Sequence, residues 1–447
     1  MRNMTEGPIS RHLLGYAVPL ILGNLFQLTY NAVDSVVIGR FAGEAALAAV
    51  GAANPVMTLA ILGVSGLCMG ASVLASEFFG AGDEAGVRRE MATALLAGLA
   101  LSAVVLAGGL LLAGPILRAM NAPPEILPLA VRYLRIIFVG FPFTFLYNAL
   151  SSFLRSVGDS QTPVRFLALA SVLNGCLDVA FVYGLRLGVV GAGLATVLAE
   201  GTSAVLCAVY IYARIPLLRL RPAELRIDPG LLRKTLASGG VTALQQSCQP
   251  IGKVLIQGVI NAQGVSMIAA FNAVSRVDDF ACIPEQSISH GMMTCTAQNR
   301  GAGRRSRVTE TLRTGLRLEL CYWLCICTAT LALKTPIMRL FAAEERAGML
   351  QMGVDYLTIM AFLYVLPGFT NGLQGFFRGM GQMTVTLVCT ILQISIRALV
   401  IFFLVPRIGL TGAAWACMAG WGTMLAVEAP YYFWCKKHRW QPAVPRG

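Results

Sequence analysis

The stretch from Gly98 to Leu117 reads GLALSAVVLAGGLLLAGPIL, twenty residues without a charge. About 20 apolar residues cross the ~30 Å hydrocarbon core of a bilayer as one helix, so this run reads as a membrane span. It closes on Pro115-Ile116-Leu117-Arg118, and the same ending returns 221 residues later as Pro336-Ile337-Met338-Arg339. Other anchors repeat at the same interval. Gly80-Ala81-Gly82 recurs as Gly301-Ala302-Gly303, and Leu187-Gly188 with Gly191-Ala192 recurs as Ile408-Gly409 with Gly412-Ala413. Asn148-Ala149-Leu150 returns as Asn371-Gly372-Leu373, two residues further on. The chain is a duplication.

Composition agrees with a membrane setting. Apolar residues make up 56% of the chain, charged residues only 13%, and the mean hydropathy is +0.68. A soluble domain carries about 25% charged residues. The apolar runs divide into twelve spans: near 13–38, 45–76, 91–114, 129–154, 163–185 and 190–213, then near 235–261, 266–297, 314–334, 352–377, 384–405 and 409–435. The expected fold is an all-α polytopic membrane protein of twelve transmembrane helices in two pseudo-symmetric six-helix lobes. The lobes are 1–213 and 235–447, with a basic cytoplasmic linker at 214–234. An even number of spans per copy inserts both copies in the same orientation, as a parallel repeat.

The net charge of +13 does not call for nucleic acid. With the N-terminus inside, most Lys and Arg fall in alternate loops and the tails. Examples are Arg219, Arg221 and Arg226 between the halves, Arg304, Arg305 and Arg307 after the eighth span, and Lys436, Lys437 and Arg439 in the tail. That bias is the positive-inside signal. It predicts a multi-pass protein of the plasma (inner) membrane with both termini cytoplasmic. The first span is too long and too polar for a cleaved signal peptide. All twelve cysteines lie in or at the ends of spans, no CxxC occurs, and His12, His290 and His438 are scattered. Packing cysteines, with neither disulfide nor metal centre, follow.

Several enzyme and nucleotide motifs fail on inspection. The glycines at Gly80, Gly82 and Gly86 join two spans where a dinucleotide fingerprint needs a preceding strand. Gly252-Lys253 lacks the spacing of a phosphate-binding loop, and Asp278-Asp279 is not followed by the third acid of a prenyl transferase.

Polar residues inside the spans carry the function. Asn24, Gln27, Asn31 and Asp34 step along the first span by three, four and three, on one helix face. Such a stripe must point at a bundle interior or a water-filled cavity. Asn174 and Asp178 stack one turn apart on the fifth span, and Thr196 and Glu200 do so on the sixth. Carboxylates, an amide oxygen and a hydroxyl suit a hard cation, or a proton shared between two acids. At the corresponding places in the second half stand Leu255, Ser395, Leu399, Cys417 and Trp421. That half instead holds Lys253, Arg276, Asp278, Asp279, Glu285, Arg397 and Glu428, some of them expected to pair as structural bridges.

Asn31-Ala32-Val33-Asp34 followed by Ile38-Gly39-Arg40 resembles the first-helix motif of the multidrug and toxic compound extrusion (MATE) family. Asn174 through Leu177-Asp178 is similar to its fifth-helix pattern, and Gln298-Asn299 before Gly301-Ala302-Gly303 to its eighth-helix exit. The similarity runs over about residues 10–435. It implies an antiporter, not an enzyme, exporting small cationic or amphipathic compounds in exchange for H⁺ or Na⁺, as a monomer in the lipid bilayer and without a cofactor. It also implies that Asp34, Asn174, Asp178 and Thr196 are the cation-coupling cluster, a Na⁺ site if Na⁺ is the ion. Gln27 and Tyr30 then lie beside the substrate path, where Asn31 and Glu200 of the polar faces are placed as well. Branches of the family that also use acids of the seventh and tenth helices differ from this chain. Here the seventh span offers Gln245 and Gln246, and the tenth has no acid past Asp355. The expectation is one cation site, in the first lobe. The rival reading, a flippase of a lipid-linked precursor, needs a strongly cationic cavity.

Overall fold

The computed structural model describes residues 3–341 and 347–438. Arg439 of the basic tail lies outside them. The elements, in chain order, are α1 (Ile9–Val37), α2 (Glu44–Gly80), α3 (Glu84–Ala119), α4 (Leu127–Ser156), α5 (Gln161–Asp178) and α6 (Val189–Arg214). After two short 3₁₀ turns come α7 (Pro229–Asn261), α8 (Val265–Gly301), α9 (Arg305–Phe341), α10 (Ala347–Leu363), α11 (Val365–Gly379), α12 (Met383–Ile408) and α13 (Thr411–His438). Helices α10 and α11 are the two arms of one span, bent by 45°. Among the described residues the twelve expected spans are therefore present as thirteen helices. Eight of these described helices are long and apolar enough to cross a bilayer on their own, and the bent pair makes nine. Polar interiors, such as Arg276, Asp278, Asp279 and Glu285 on α8, keep the remaining helices below that mark.

The quoted run shows how a span packs. Gly98, Ser102, Gly109, Ala113 and Leu117 form a buried stripe on α3. A side chain at Gly98 would run into the Phe145 ring, and one at Gly109 into the Phe138 ring, both on α4. Small residues let the two backbones approach, the usual device of helix association in lipid. Val104 and Leu111, on the other side, are 68% and 75% exposed and face outward.

The duplication is written into the backbone. Gly43, Gly82, Gly158 and Gly188 have φ of 90°, 73°, 81° and 55°, and their counterparts Gly264, Gly303, Gly381 and Gly409 have 98°, 69°, 75° and 68°. Left-handed turns of this kind favour glycine, which lacks the Cβ that would clash.

The chain forms two compact units. Unit 1 comprises residues 1–7, 15–244 and 297–305. In it α4 packs on α2, α3 and α6. The segment between the halves folds back on α3. Glu224 pairs with Arg88 at 3.2 Å, the Asp228 N–H donates to Thr93 Oγ1 at 3.1 Å, and Thr235 Oγ1 donates to Glu90 at 2.6 Å. The last turn of α8 also belongs here. Arg300 forms an ion pair with Glu77, Gln298 Nε2 donates to Ser156 O at 2.8 Å, and the Met4 N–H donates to Gln298 Oε1 at 3.0 Å. The Gly80 and Gly301 ends touch so closely that a Cβ on either would strike the other helix's backbone.

Unit 2 comprises 8–14, 245–296 and 306–447. Its core gathers Tyr356, Met360, Tyr364, Ala413 and Cys417 from α10 to α13 and Val274 from α8. Pairing of its charges is narrower than the sequence led one to expect. Lys253 and Asp279 do form an ion pair at 2.7 Å. Asp278 instead accepts hydrogen bonds from the Tyr356 and Tyr364 hydroxyls, each at 2.7 Å. Glu285 has no ion-pair partner among the described residues. It is deeply buried on α8.

Candidate functional site: an acid pair beside a polar cavity

Two of the acid-bearing helices of unit 1 end in π-turns. Ile38–Ala42 continues α1 and Val179–Gly184 continues α5, so Asp178 is the last α-helical residue before its π-turn and Asp34 lies four residues before its own. The two π-turns pack together, with Phe41 and Tyr183 rings 4.9 Å apart. Turns of this type are frequent at functional sites.

Asp34 and Asp178 face each other within hydrogen-bonding range. Asp178 is wholly buried. Neither its two oxygens nor Asp34 Oδ1 receives a hydrogen bond from any donor. Two carboxylates have acceptors only, so a bond between them requires a proton, and otherwise a cation must stand between them. Asn174, one turn before Asp178, is also buried, and neither atom of its amide has a partner.

Next to the pair lies a cavity of about 220 Å³, walled by Asn24, Gln27 and Tyr30 of α1, Thr144, Asn148 and Arg155 of α4, Asn174 of α5, and Thr196 and Glu200 of α6. Tyr30 is within hydrogen-bonding range of Thr196, whose own hydroxyl donates to Ala192 O at 3.1 Å. Glu200 accepts a hydrogen bond from the Thr144 hydroxyl. It sits mid-helix on α6, well away from either end of the span. Arg155 is the basic side chain of this lining, and it is held by Ser152 Oγ at 2.9 Å.

The geometry divides the residues singled out from the sequence into two layers. Asp34 and Asp178 form the first. Gln27, Tyr30, Asn174, Thr196 and Glu200 line the second, where Asn174 reaches the cavity one turn from Asp178. Asn31 joins neither: it is exposed, and its carbonyl accepts from Ser35 Oγ at 2.8 Å. Sequence reasoning missed Tyr133, which lies in the field of Asp34, Tyr30, Asp178 and Glu200. It also missed Thr144, the one polar side chain in the run Phe141-Pro142-Phe143-Thr144-Phe145. Among the described residues no three His, Cys, Asp or Glu side chains converge as a metal centre. Carboxylate, amide and hydroxyl oxygens of this kind suit a hard cation or a proton rather than a transition metal.

The family model described as MatE matches this chain twice, over residues 19–180 and again over 242–403. The chain belongs to the MATE family of multidrug efflux transporters. It is a multi-pass membrane transporter of small molecules, not an enzyme. Among its relatives is the probable multidrug resistance protein YpnP of Bacillus subtilis (strain 168). That protein is 29% identical over 393 residues, covering 88% of this chain and 87% of the relative. The FAD transporter of Shewanella oneidensis is 25% identical over 393 residues, 86% of each chain. Among solved structures, an outward-facing MATE transporter of the MOP superfamily superposes with a TM-score of 0.88 at 22% identity. That match covers 97% of both chains and establishes the shared fold.

Proposed function

We propose that this MATE transporter is an antiporter that exports small cationic or amphipathic organic compounds in exchange for H⁺ or Na⁺, by alternating access. Coupling runs through Asp34, Asn174, Asp178 and Thr196, and the substrate occupies the cavity walled by Gln27, Tyr30 and Glu200. The observation that carries this reading is the Asp34–Asp178 pair, two acids that meet with no donor between them at the edge of a polar cavity. Such a pair takes up a cation in the state that opens to a high cation concentration and gives it up in the other. Coupling then requires only that ion and substrate prefer different states, or different charge forms of the acids. A flippase of a lipid-linked precursor is not favoured, since a lining with Glu200 and several amides offers a pyrophosphate little beyond Arg155.

Uptake into proteoliposomes, with the pH and Na⁺ gradients imposed separately, tests the proposal. One of the two gradients is expected to drive substrate uphill, and indifference to both sinks the reading. For topology, we expect cysteines placed at Arg214 and at Lys437 to be shielded from an impermeant thiol reagent in intact cells. Labelling of either from outside contradicts cytoplasmic termini.

A further inference from the structure

Unit 2 buries a second pair of acids, which the sequence reading did not single out as a pair. Glu285 on α8 and Glu319 on α9 are 1% and 2% exposed. Both oxygens of Glu319 and one oxygen of Glu285 have no hydrogen-bond partner. The two carboxyls converge on one spot. A Cβ built on Gly368 of α11 would lie 3.5 Å from Glu319 Oε2 and 3.8 Å from Glu285 Oε1, so both acids border the space this glycine leaves.

Asn371 of α11 reaches Glu285 with its side chain. The titratable groups around the pair are Cys282 on α8, Tyr322 on α9 and Tyr364 at the α10–α11 bend. Two of these are already engaged, since the Tyr322 hydroxyl donates to Ala281 O and the Tyr364 hydroxyl to Asp278, at 2.8 and 2.7 Å. Neither glutamate forms an ion pair with a described residue. Two ionised carboxylates side by side, desolvated and without a counter-charge, repel each other strongly. One cation between them removes the repulsion and supplies the missing donor.

We propose that Glu285 and Glu319 form a second cation site, in unit 2, where the two carboxyls share one proton. A proton fits better than a metal ion because, among the described residues, the side chain that reaches the pair is a single asparagine, far short of a metal's oxygen shell. The site does not depend on the coupling role of Asp34 and Asp178, and it raises the number of cations the chain binds above the single one expected from its first half.

The test is infrared spectroscopy of the purified, lipid-reconstituted full chain in an Asp34→Asn/Asp178→Asn background, which silences the first pair. The signal is the carboxylic acid C=O band, identified by its shift in D₂O. Glu319→Gln and Glu285→Gln, made singly, are each expected to remove the same one band, because a shared proton belongs to the pair. Glu319→Asp should keep the band at a shifted frequency, and it reports on the pair even if a Gln variant folds poorly. Three outcomes overturn the proposal: no band lost in either Gln variant, a different band lost in each, or a band bleached by Na⁺ at fixed pH.

Discussion

Asp178 and Asp278 carry the same carboxylate into the interiors of the two units, and only one of them is met by donors. Asp278 takes two tyrosine hydroxyls at 2.7 Å and has Arg397 in its field. Asp178 is the more deeply buried of the two, yet it faces Asp34, and no donor reaches either of its oxygens. A carboxylate given two fixed donors and a nearby cation is complete as an anion. One that faces another acid is complete only with something mobile between them. What distinguishes the two acids is therefore the inventory of donors around each.

The largest effect should come from removing the acids without donors. Asp34→Asn and Asp178→Asn are expected to abolish gradient-driven transport while leaving insertion and folding intact, since a neutral amide is easier to bury than a carboxylate. Uphill uptake at normal rates by both variants, assayed in proteoliposomes, would erase the distinction between the two kinds of acid. An intermediate effect is expected at the acid with donors. Tyr364→Phe leaves Asp278 short of one hydrogen bond to a charged group, a loss of about 1.5–3 kcal/mol in stability. Thermal unfolding should register that loss, whereas the ion dependence of transport stays where it was. A displaced pH or Na⁺ midpoint would mean that Asp278 also works. The smallest effect belongs to Asp355, an exposed acid on α10 bound by Gln351 Nε2 at 2.7 Å. Asp355→Asn should change neither stability nor the ion dependence measurably, and an altered Hill slope would place it in the coupling chemistry.

Much of this was legible in the chain itself. Uninterrupted apolar runs and the anchors repeated 221 residues apart disclose the spans and the duplication, because a helix in lipid must satisfy its own backbone and face hydrocarbon with apolar side chains. The period of three and four placed Asn24, Gln27 and Asp34 on the inner side of α1. Contacts between helices were not legible. Glu319 follows Arg317 and Leu318 early in the ninth span, with no second acid near it in the sequence; the packing of α8 and α11 around it is what buries it and brings Glu285 close. Thr144 gave no sign that it would meet Glu200, 56 residues on. The break between α10 and α11 at Tyr364 falls inside a continuous apolar run, and Pro367 beyond it was the one local hint.

The paired π-turns have a geometric consequence. A π-turn takes up about one residue more than an α-turn, and one residue of an α-helix spans roughly 100° of rotation. Relaxing Ile38–Ala42 or Val179–Gly184 into regular α-helix would therefore wind the chain on one side of the segment by about that angle against the other. The acids are on one side of these segments, and Gly43 and the Gly184–Gly188 turn are on the other, free to absorb the winding. Each helix thus holds one residue of slack between its acid and the glycine turn that follows. Deleting one residue within either π-turn would take up that slack without removing a single side chain from the acid pair or the cavity.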